Sequence, residues 1–217
     1  MPTPPETPPR KRGRPRHLEP SAEYRERLED IVTVAAEVFR KQGYDAGSLD
    51  DVAAALGLRK ASLYYYVKRK TDLLRLIFDR AITTALVDVE RLAAIPDAHD
   101  RLVALIRHQA LLVLADPHHF AVYFDQRTGL EAEDLADIAR KERRYVHHFI
   151  TAVTDAMDAG ILPDGDPRMV AHSIIGLTSW SYKWFDPARD SAERFADTCV
   201  ALVVRDKRSR RRIRPAG

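Results

Sequence analysis

The sequence is poor in cysteine and in long apolar runs. Its 217 residues include one cysteine, Cys199, so no disulfide can form within one chain. No apolar run reaches the roughly 18–20 residues that a membrane-spanning helix needs, so no membrane partner is expected. Residues 1–20 are rich in proline and arginine and lack the apolar segment of a signal peptide. These absences predict a protein of a reducing cytoplasm.

The sequence also lacks residue spacings typical of catalysis or of a metal site. Its eight histidines include the pairs His118–His119 and His147–His148. Neighbouring side chains on a helix point about 100° apart and rarely share a metal, unlike an i, i+4 pair. Cys199 lies on an apolar stripe without a histidine placed to activate it. We therefore predict no enzyme, no cofactor and no metal. A metal-dependent sensor or enzyme is the alternative that metal analysis would reveal.

Charge is distributed unevenly along the chain, although the net charge is only +3. Residues 1–20 carry five Lys and Arg against two acids, and residues 205–217 carry seven against one. Residues 76–204 hold 13 basic and 20 acidic side chains. An acidic body with basic ends indicates contact with a polyanion at one end of the molecule. Two solvated, disordered tails are the alternative.

Apolar residues recur with the helical period throughout, and no strand-like alternation is present. The sequence therefore predicts an all-α protein. We divide it into a disordered basic arm, a first and a second helical region, and a basic tail. The boundaries are 1–20, 21–75, 76–205 and 206–217. Later helices are predicted near 98–115, 117–126, 132–160, 167–184 and 190–205.

Residues 28–93 have the pattern of a helix-turn-helix followed by a long helix. A first amphipathic helix ends at Gly43. Ser48 and Asp51 have the spacing of a capping box that opens a short second helix. Leu56-Gly57-Leu58 turns the chain, and another short helix runs to about Val67, before a long one from Lys70 to about Ala93. The apolar positions of the pair are Val52, Ala53, Leu56, Leu58, Leu63 and Val67.

The stretch LRKASLYYYVKRKTDLL places three tyrosines among cations, which is typical of a surface that binds phosphates. Small residues at 61 and 62 let the helix enter a major groove, where Lys60 reaches base acceptors. Tyrosine hydroxyls contact phosphates, and Lys70 holds a phosphate at a helix N-terminus. The predicted DNA contacts are Ser48, Arg59, Lys60, Ala61, Ser62, Tyr64, Tyr65 and Lys70.

The basic arm contains KRGRPR at residues 11–16, which resembles the core of an AT-hook. Gly13 and Pro15 keep this segment extended and thin enough for a minor groove, so Arg12 and Arg14 join the predicted DNA contacts. A non-specific electrostatic tail is the alternative. Either kind of arm should strengthen DNA binding and make the affinity depend more steeply on salt concentration.

Residues 28–78 contain a specific combination of small, apolar and aromatic residues. They are Ala35, Ala36, Phe39, Gly43 and Tyr44 of the first helix and its end, and Leu56, Gly57, Leu58, Ser62, Leu63 and Tyr64 of the helix-turn-helix. With this spacing the segment resembles the DNA-binding region of the TetR (tetracycline-repressor-like) family. Three positions depart from its commonest pattern: Tyr66 replaces histidine, Val67 replaces phenylalanine and Thr71 replaces glutamate. The resemblance implies a dimeric repressor that a small molecule releases from a palindromic operator, with residues 21–75 as the DNA-binding domain and residues 76–205 as the effector-binding and dimerisation domain.

Two apolar stripes near the C-terminus are predicted to form a four-helix interface between two copies of the chain. Completion of the core of one chain is the alternative. The first stripe is Val170, Ile174, Leu177 and Trp184, and the second is Phe195, Cys199 or Val200, and Val203.

The segment from Gly176 to Pro187 is similar to one in a TetR subgroup that represses fatty-acid or sterol catabolism and responds to acyl-CoA. Aromatic rings that stack on adenine and cations that hold phosphates suit coenzyme A. Another hydrophobic effector or drug is the alternative, as is an architectural A·T-binding protein without an effector. The predicted ligand contacts are Leu105, Leu112, Phe120, Phe124, Arg143, Arg144, Phe149, Ile174, Trp180, Lys183 and Trp184.

Overall fold

The computed structural model describes residues 21–126 and 129–204. Within these ranges the chain forms α-helices and short 3₁₀ segments and contains no strand, which confirms the all-α prediction. Arg12 and Arg14 lie outside the described residues. So does the predicted basic tail.

The helices are, in chain order, α1 Ala22–Gln42, α2 Leu49–Ala55, α3 Lys60–Tyr66, α4 Lys70–Ala93, α5 Ala98–Ala115, α6 Pro117–Asp125, α7 Ala132–Asp158, α8 Pro167–Ser179 and α9 Ala192–Val203. The helix predicted to run to residue 184 is shorter. It ends at Ser179 and continues as a 3₁₀ turn over Trp180–Lys183. In the described part of the chain, no helix is both long and apolar enough to span a bilayer.

Polar side chains set several of the helix starts. Asp97 and Asp116 each accept a hydrogen bond from a first-turn amide of the helix that follows, and Asp166 and Ser191 do the same for α8 and α9. Pro117 and the proline at 167 stand in the first turn, where a missing N–H costs no helical hydrogen bond. Caps and prolines therefore place most of the breaks that the sequence predicts.

One hydrophobic core runs through the described chain. Phe39 of α1, Phe78 of α4 and Phe149 of α7 are among its largest fully buried side chains. Helix α5 packs against α4, α7, α8 and α9, so it lies at the centre of the C-terminal helices. Helix α6 packs against α1 and α4, and it therefore connects the N-terminal helices with the C-terminal helices.

Candidate functional site

Helices α2 and α3 form the predicted helix-turn-helix, held by local hydrogen bonds. The Ser48 hydroxyl accepts from the Asp51 amide, and the Asp51 carboxylate accepts from the Ser48 amide at 2.9 Å, which confirms the capping box. Gly57 has φ +64°, a conformation that side chains other than glycine rarely adopt. The Leu58 amide then donates to the Ala53 carbonyl at 2.9 Å. These bonds set the angle at which α3 leaves the turn.

One side of α3 is buried and the opposite side is open. Leu63 is fully buried against the other helices, and Val67 is 2% exposed. On the open side, Tyr65 is 69% exposed and Tyr64 is half-buried. The other predicted contacts of α3 and its N-cap are exposed as well: Arg59, Lys60, Ala61 and Ser62. The DNA contacts predicted on α3 and its N-cap are therefore all at least partly accessible.

Two carboxylates lie among the cations of this surface. Lys60 Nζ is 2.7 Å from the Asp50 carboxylate of α2, and this hydrogen bond raises the pKa of Lys60. Asp72 accepts from the backbone amides of Arg69 and Lys68 at 2.8 and 3.2 Å. Burial alone would raise the pKa of Asp72, but these amide hydrogen bonds lower it, so the carboxylate stays ionised and caps α4. Asp50 instead pairs with Lys60, which is one of the predicted DNA contacts.

Aromatic rings support the cations, and two of these rings were not predicted as functional. Lys70 Nζ lies 4.3 Å from the centre of the Tyr44 ring and donates to the Asp45 carbonyl at 3.1 Å. The Tyr24 ring of α1 stacks on Tyr66 with centres 4.8 Å apart. Tyr44 belongs to the residues that carry the family resemblance, although no DNA contact was predicted for it, and no local signal in the sequence marks Tyr24. Tyr66, which replaces the histidine of the common pattern, thus packs onto α1.

A cavity of about 720 Å³ lies between helices α4 to α8. Its apolar wall includes Ala81 and Ile82 of α4, Leu112 of α5, and Phe120 and Phe124 of α6. This volume lies in the ordinary range for a small-molecule site. The cavity is therefore a candidate effector site.

Three polar side chains in this cavity form a connected network. The Tyr145 hydroxyl is hydrogen bonded to Gln109 Oε1, and Gln109 Nε2 is 3.1 Å from Ser179 Oγ. Gln109 is 4% exposed and Tyr145 is 6% exposed. Burial raises the pKa of Tyr145, so its phenol is neutral at physiological pH.

The solvent-accessible part of the cavity is rich in nitrogen-bearing side chains. Arg143 and His147 of α7 and Arg168 and His172 of α8 line the cavity and are exposed. Within residues 21–126 and 129–204, neither arginine side chain has an ion-pair partner. The accessible rim therefore offers an anionic ligand two arginines without ion-pair partners in the described chain, although the Glu142 carboxylate also lines the cavity.

The structure brings only some of the predicted ligand contacts together. Leu112, Phe120, Phe124 and Arg143 line the cavity. Arg144 and Lys183 do not line it, because they pair with Glu90 at 2.5 Å and with Asp125 at 2.8 Å.

The other predicted ligand contacts do not line this cavity. Leu105 and Phe149 are fully buried in the core, and Ile174 is 2% exposed beside a separate groove. Trp180 is 61% exposed and Trp184 is 49% exposed on the outside of the protein.

Gln109, Tyr145, Ser179, Arg168 and His172 were not predicted as ligand contacts. Gln109 offered a usable signal, because it is a polar residue on the buried stripe of an otherwise apolar helix face. Arg168 and His172 offered none, since their position depends on how α8 packs against α7.

An exposed apolar surface lies on α8 and α9. Met169 is 57% exposed, Leu177 is 39% exposed and Leu202 is 68% exposed. Trp180, in the 3₁₀ turn after α8, is exposed as well. Ile174 and Cys199, which were expected in this interface, are buried inside the protomer. Exposed large apolar side chains in one region indicate a contact surface.

Two family models match the chain. One, described as bacterial regulatory proteins of the tetR family, matches residues 31–77. The other, described as the tetracyclin repressor-like C-terminal domain, matches residues 96–206, just over half of the chain. The chain belongs to the TetR family. It is therefore a DNA-binding transcriptional regulator that functions as a dimer, in a family of regulators rather than enzymes.

Solved structures and curated relatives agree with this assignment. AibR in complex with isovaleryl coenzyme A and operator DNA is 29% identical, with a TM-score of 0.74, over 83% of this chain and 97% of that one. A TetR/AcrR regulator from Thermobifida fusca is 30% identical, with a TM-score of 0.65, over 82% and 96%. The transcriptional repressor KstR2 of Mycolicibacterium smegmatis is 24% identical over 191 residues, 82% of this chain and 89% of that protein.

Proposed function

We propose that this TetR-family protein is a cytoplasmic repressor that an acyl-CoA thioester releases from a palindromic operator. The observation that carries the proposal is the cavity of about 720 Å³, whose wall is apolar and whose rim holds Arg143 and Arg168 without ion-pair partners among the described residues. An acyl-CoA has a hydrocarbon portion and a multiply charged nucleotide portion, which suit these two environments.

The similar proteins support an acyl-CoA more than another hydrophobic compound. AibR, at 29% identity, is described in complex with isovaleryl coenzyme A and operator DNA. A relative from Bacillus subtilis, 22% identical over 159 residues, 69% of this chain and 81% of that protein, is described as a fatty acid metabolism regulator. A different hydrophobic effector is the alternative that the titration below distinguishes.

Helix α4 supplies the path between effector and DNA. Its first residue, Lys70, contacts Asp45 beside the helix-turn-helix, and its middle supplies Ala81, Ile82 and Ala85 to the cavity wall. Its 24 residues span about 36 Å as one helix. An effector that wedges α4 away from α7 therefore displaces the DNA-reading helices.

The dimer turns this displacement into release. Two α3 helices bind successive major grooves only when they are about 34 Å apart. The exposed surface of Met169, Leu177, Trp180 and Leu202 is the proposed interface that holds this spacing. An effector that binds better to a dimer with another spacing lowers the population that fits the operator.

The test begins with the operator, obtained by selecting bound fragments of genomic DNA. Acyl-CoAs of increasing chain length are then titrated against the complex, with the free acids in parallel. Each added buried methylene should contribute at most about 0.8 kcal/mol, or up to about fourfold in affinity. The free acids should release DNA poorly, because they lack the nucleotide portion.

Arginine variants distinguish a specific contact between the rim and the ligand from a general effect of lost positive charge. Arg143→Ala and Arg168→Ala should each weaken the acyl-CoA response about tenfold. Arg140→Ala is the control, because Arg140 lies on the same helix as Arg143 but pairs with Asp137.

If acyl-CoAs at tens of micromolar neither bind nor release DNA, the effector is a different hydrophobic compound. Equal binding to all A·T-rich duplexes would instead favour an architectural protein.

A further inference from the structure

The hydrogen-bond network of Tyr145, Gln109 and Ser179 has more donors than it uses. The phenol has one proton, the amide two and the serine hydroxyl one. The network contains two hydrogen bonds, one between Tyr145 and Gln109 and one between Gln109 and Ser179. Two protons are left in either orientation of the Gln109 amide. Among the described residues, these three side chains make no further hydrogen bond.

The three side chains of this network border the cavity. All three side chains line the cavity of about 720 Å³, and Gln109 and Tyr145 are more than nine-tenths buried. A buried donor without a partner costs about 1–3 kcal/mol, which an acceptor atom of a ligand would remove. The network is therefore a binding site for an acceptor.

The acceptor that fits is neutral. All three groups are uncharged, and burial raises the pKa of Tyr145, which keeps its proton on the phenol. A carboxylate would lose its hydration against neutral donors alone, which is costly at this depth. A carbonyl oxygen, with two lone pairs, accepts both protons without this penalty.

The position of the network along α8 fits the shape of an acyl-CoA. Ser179 follows Arg168 by eleven residues on this helix, so the two lie about 16 Å apart along its axis. A ligand with its phosphates at Arg168 and a carbonyl at Ser179 needs a long neutral linker between them. The pantetheine arm of coenzyme A is such a linker, and it ends at the thioester.

From these observations we infer that the network of Gln109, Ser179 and Tyr145 donates its two spare protons to the thioester carbonyl oxygen of the effector, and thereby selects thioesters over compounds of equal length that lack this carbonyl. The inference rests on the proposed acyl-CoA response, and it assigns that response a specificity determinant.

The experiment compares pairs of ligands that differ only in the carbonyl. Butanoyl-, octanoyl- and dodecanoyl-CoA are measured by calorimetry on the wild-type protein against the S-butyl-, S-octyl- and S-dodecyl-CoA thioethers. The thioester of the best-binding pair should bind about ten- to a hundredfold more tightly than its thioether. If both members of the pairs bind equally, the inference is wrong and the proposed function stands. If no member of any pair binds, both are wrong.

A serine pair on one helix supplies the matched variants. Ser179→Ala should weaken thioester binding about tenfold and leave thioether binding unchanged, because only the thioester uses the donor. Ser173→Ala is the control, since Ser173 is exposed on α8 and bonds the Met169 carbonyl at 2.9 Å. Equal losses for thioester and thioether in Ser179→Ala would show a merely structural role and overturn the inference.

Discussion

Replacing Lys70 by alanine should weaken binding to every DNA sequence and reduce the salt dependence of binding. Lys70 begins α4, and its Nζ is held over the Tyr44 ring and 3.1 Å from the Asp45 carbonyl. These contacts place the ammonium group without neutralising it, because neither partner carries a formal charge. It is therefore available to a phosphate beside the N-terminus of α4.

The size of the effect follows from counterion release. Each phosphate contact contributes about 0.9 to the slope of log affinity against log salt concentration. A dimer loses two contacts, so the slope should fall by about 1.8. Between about 50 and 200 mM salt, the wild-type protein should then lose about twelvefold more affinity than the variant. Fluorescence anisotropy of labelled operator DNA over a salt series measures both slopes.

Arg91→Ala is the control for loss of charge alone. Arg91 lies on the same helix, is paired with Asp88, and is 21 residues from Lys70, or about 32 Å along the axis. Its removal should leave the slope unchanged. An unchanged slope in the Lys70 variant, or equal changes in both variants, would refute the phosphate contact.

Three further outcomes are expected. Deletion of residues 1–16 should preserve the dimer and lower DNA affinity, more on operators with A·T-rich flanks if the arm reads a minor groove; equal losses on G·C-rich flanks would leave only an electrostatic tail. Leu177→Ser and Trp180→Ser should each shift the dimer towards monomer in sedimentation, whereas Val87→Ser, also an exposed apolar position, should not. Burial lowers the pKa of His108, so below about pH 6.5 the unfolded state binds more protons than the folded state. Stability against guanidinium should therefore decrease as the pH is lowered below this value. An unchanged acid dependence in His108→Gln would assign that loss to other groups.

The DNA-reading half could be predicted because its signals are local. A capping box at Ser48, a glycine with positive φ at position 57 and an apolar stripe through Leu63 each act within a few residues. Together they determine the turn between the helices and the side of α3 that is buried, and therefore the side left open. The aromatic contacts between α1 and α3 were harder to predict, because Tyr24 and Tyr66 are far apart in the sequence and meet only in the folded protein.

The effector half shows the limit of a periodic pattern. A stripe at helical spacing predicts that side chains are buried but not which neighbours they meet. Phe149 therefore lies in the core, whereas Phe120 and Phe124 of α6 line the cavity. Arg143 and Arg144 are adjacent, yet Arg144 pairs with Glu90, 54 residues away, and Arg143 is left at the rim.

The sequence by itself determined the helices, the turn and the exposed surface predicted to read DNA, because caps, glycines and apolar periods act through backbone geometry over a few residues. Only the tertiary structure decided which side chains enclose the cavity. That choice depends on how α7 and α8 pack against α4 and α5, and so on contacts between residues far apart in the chain.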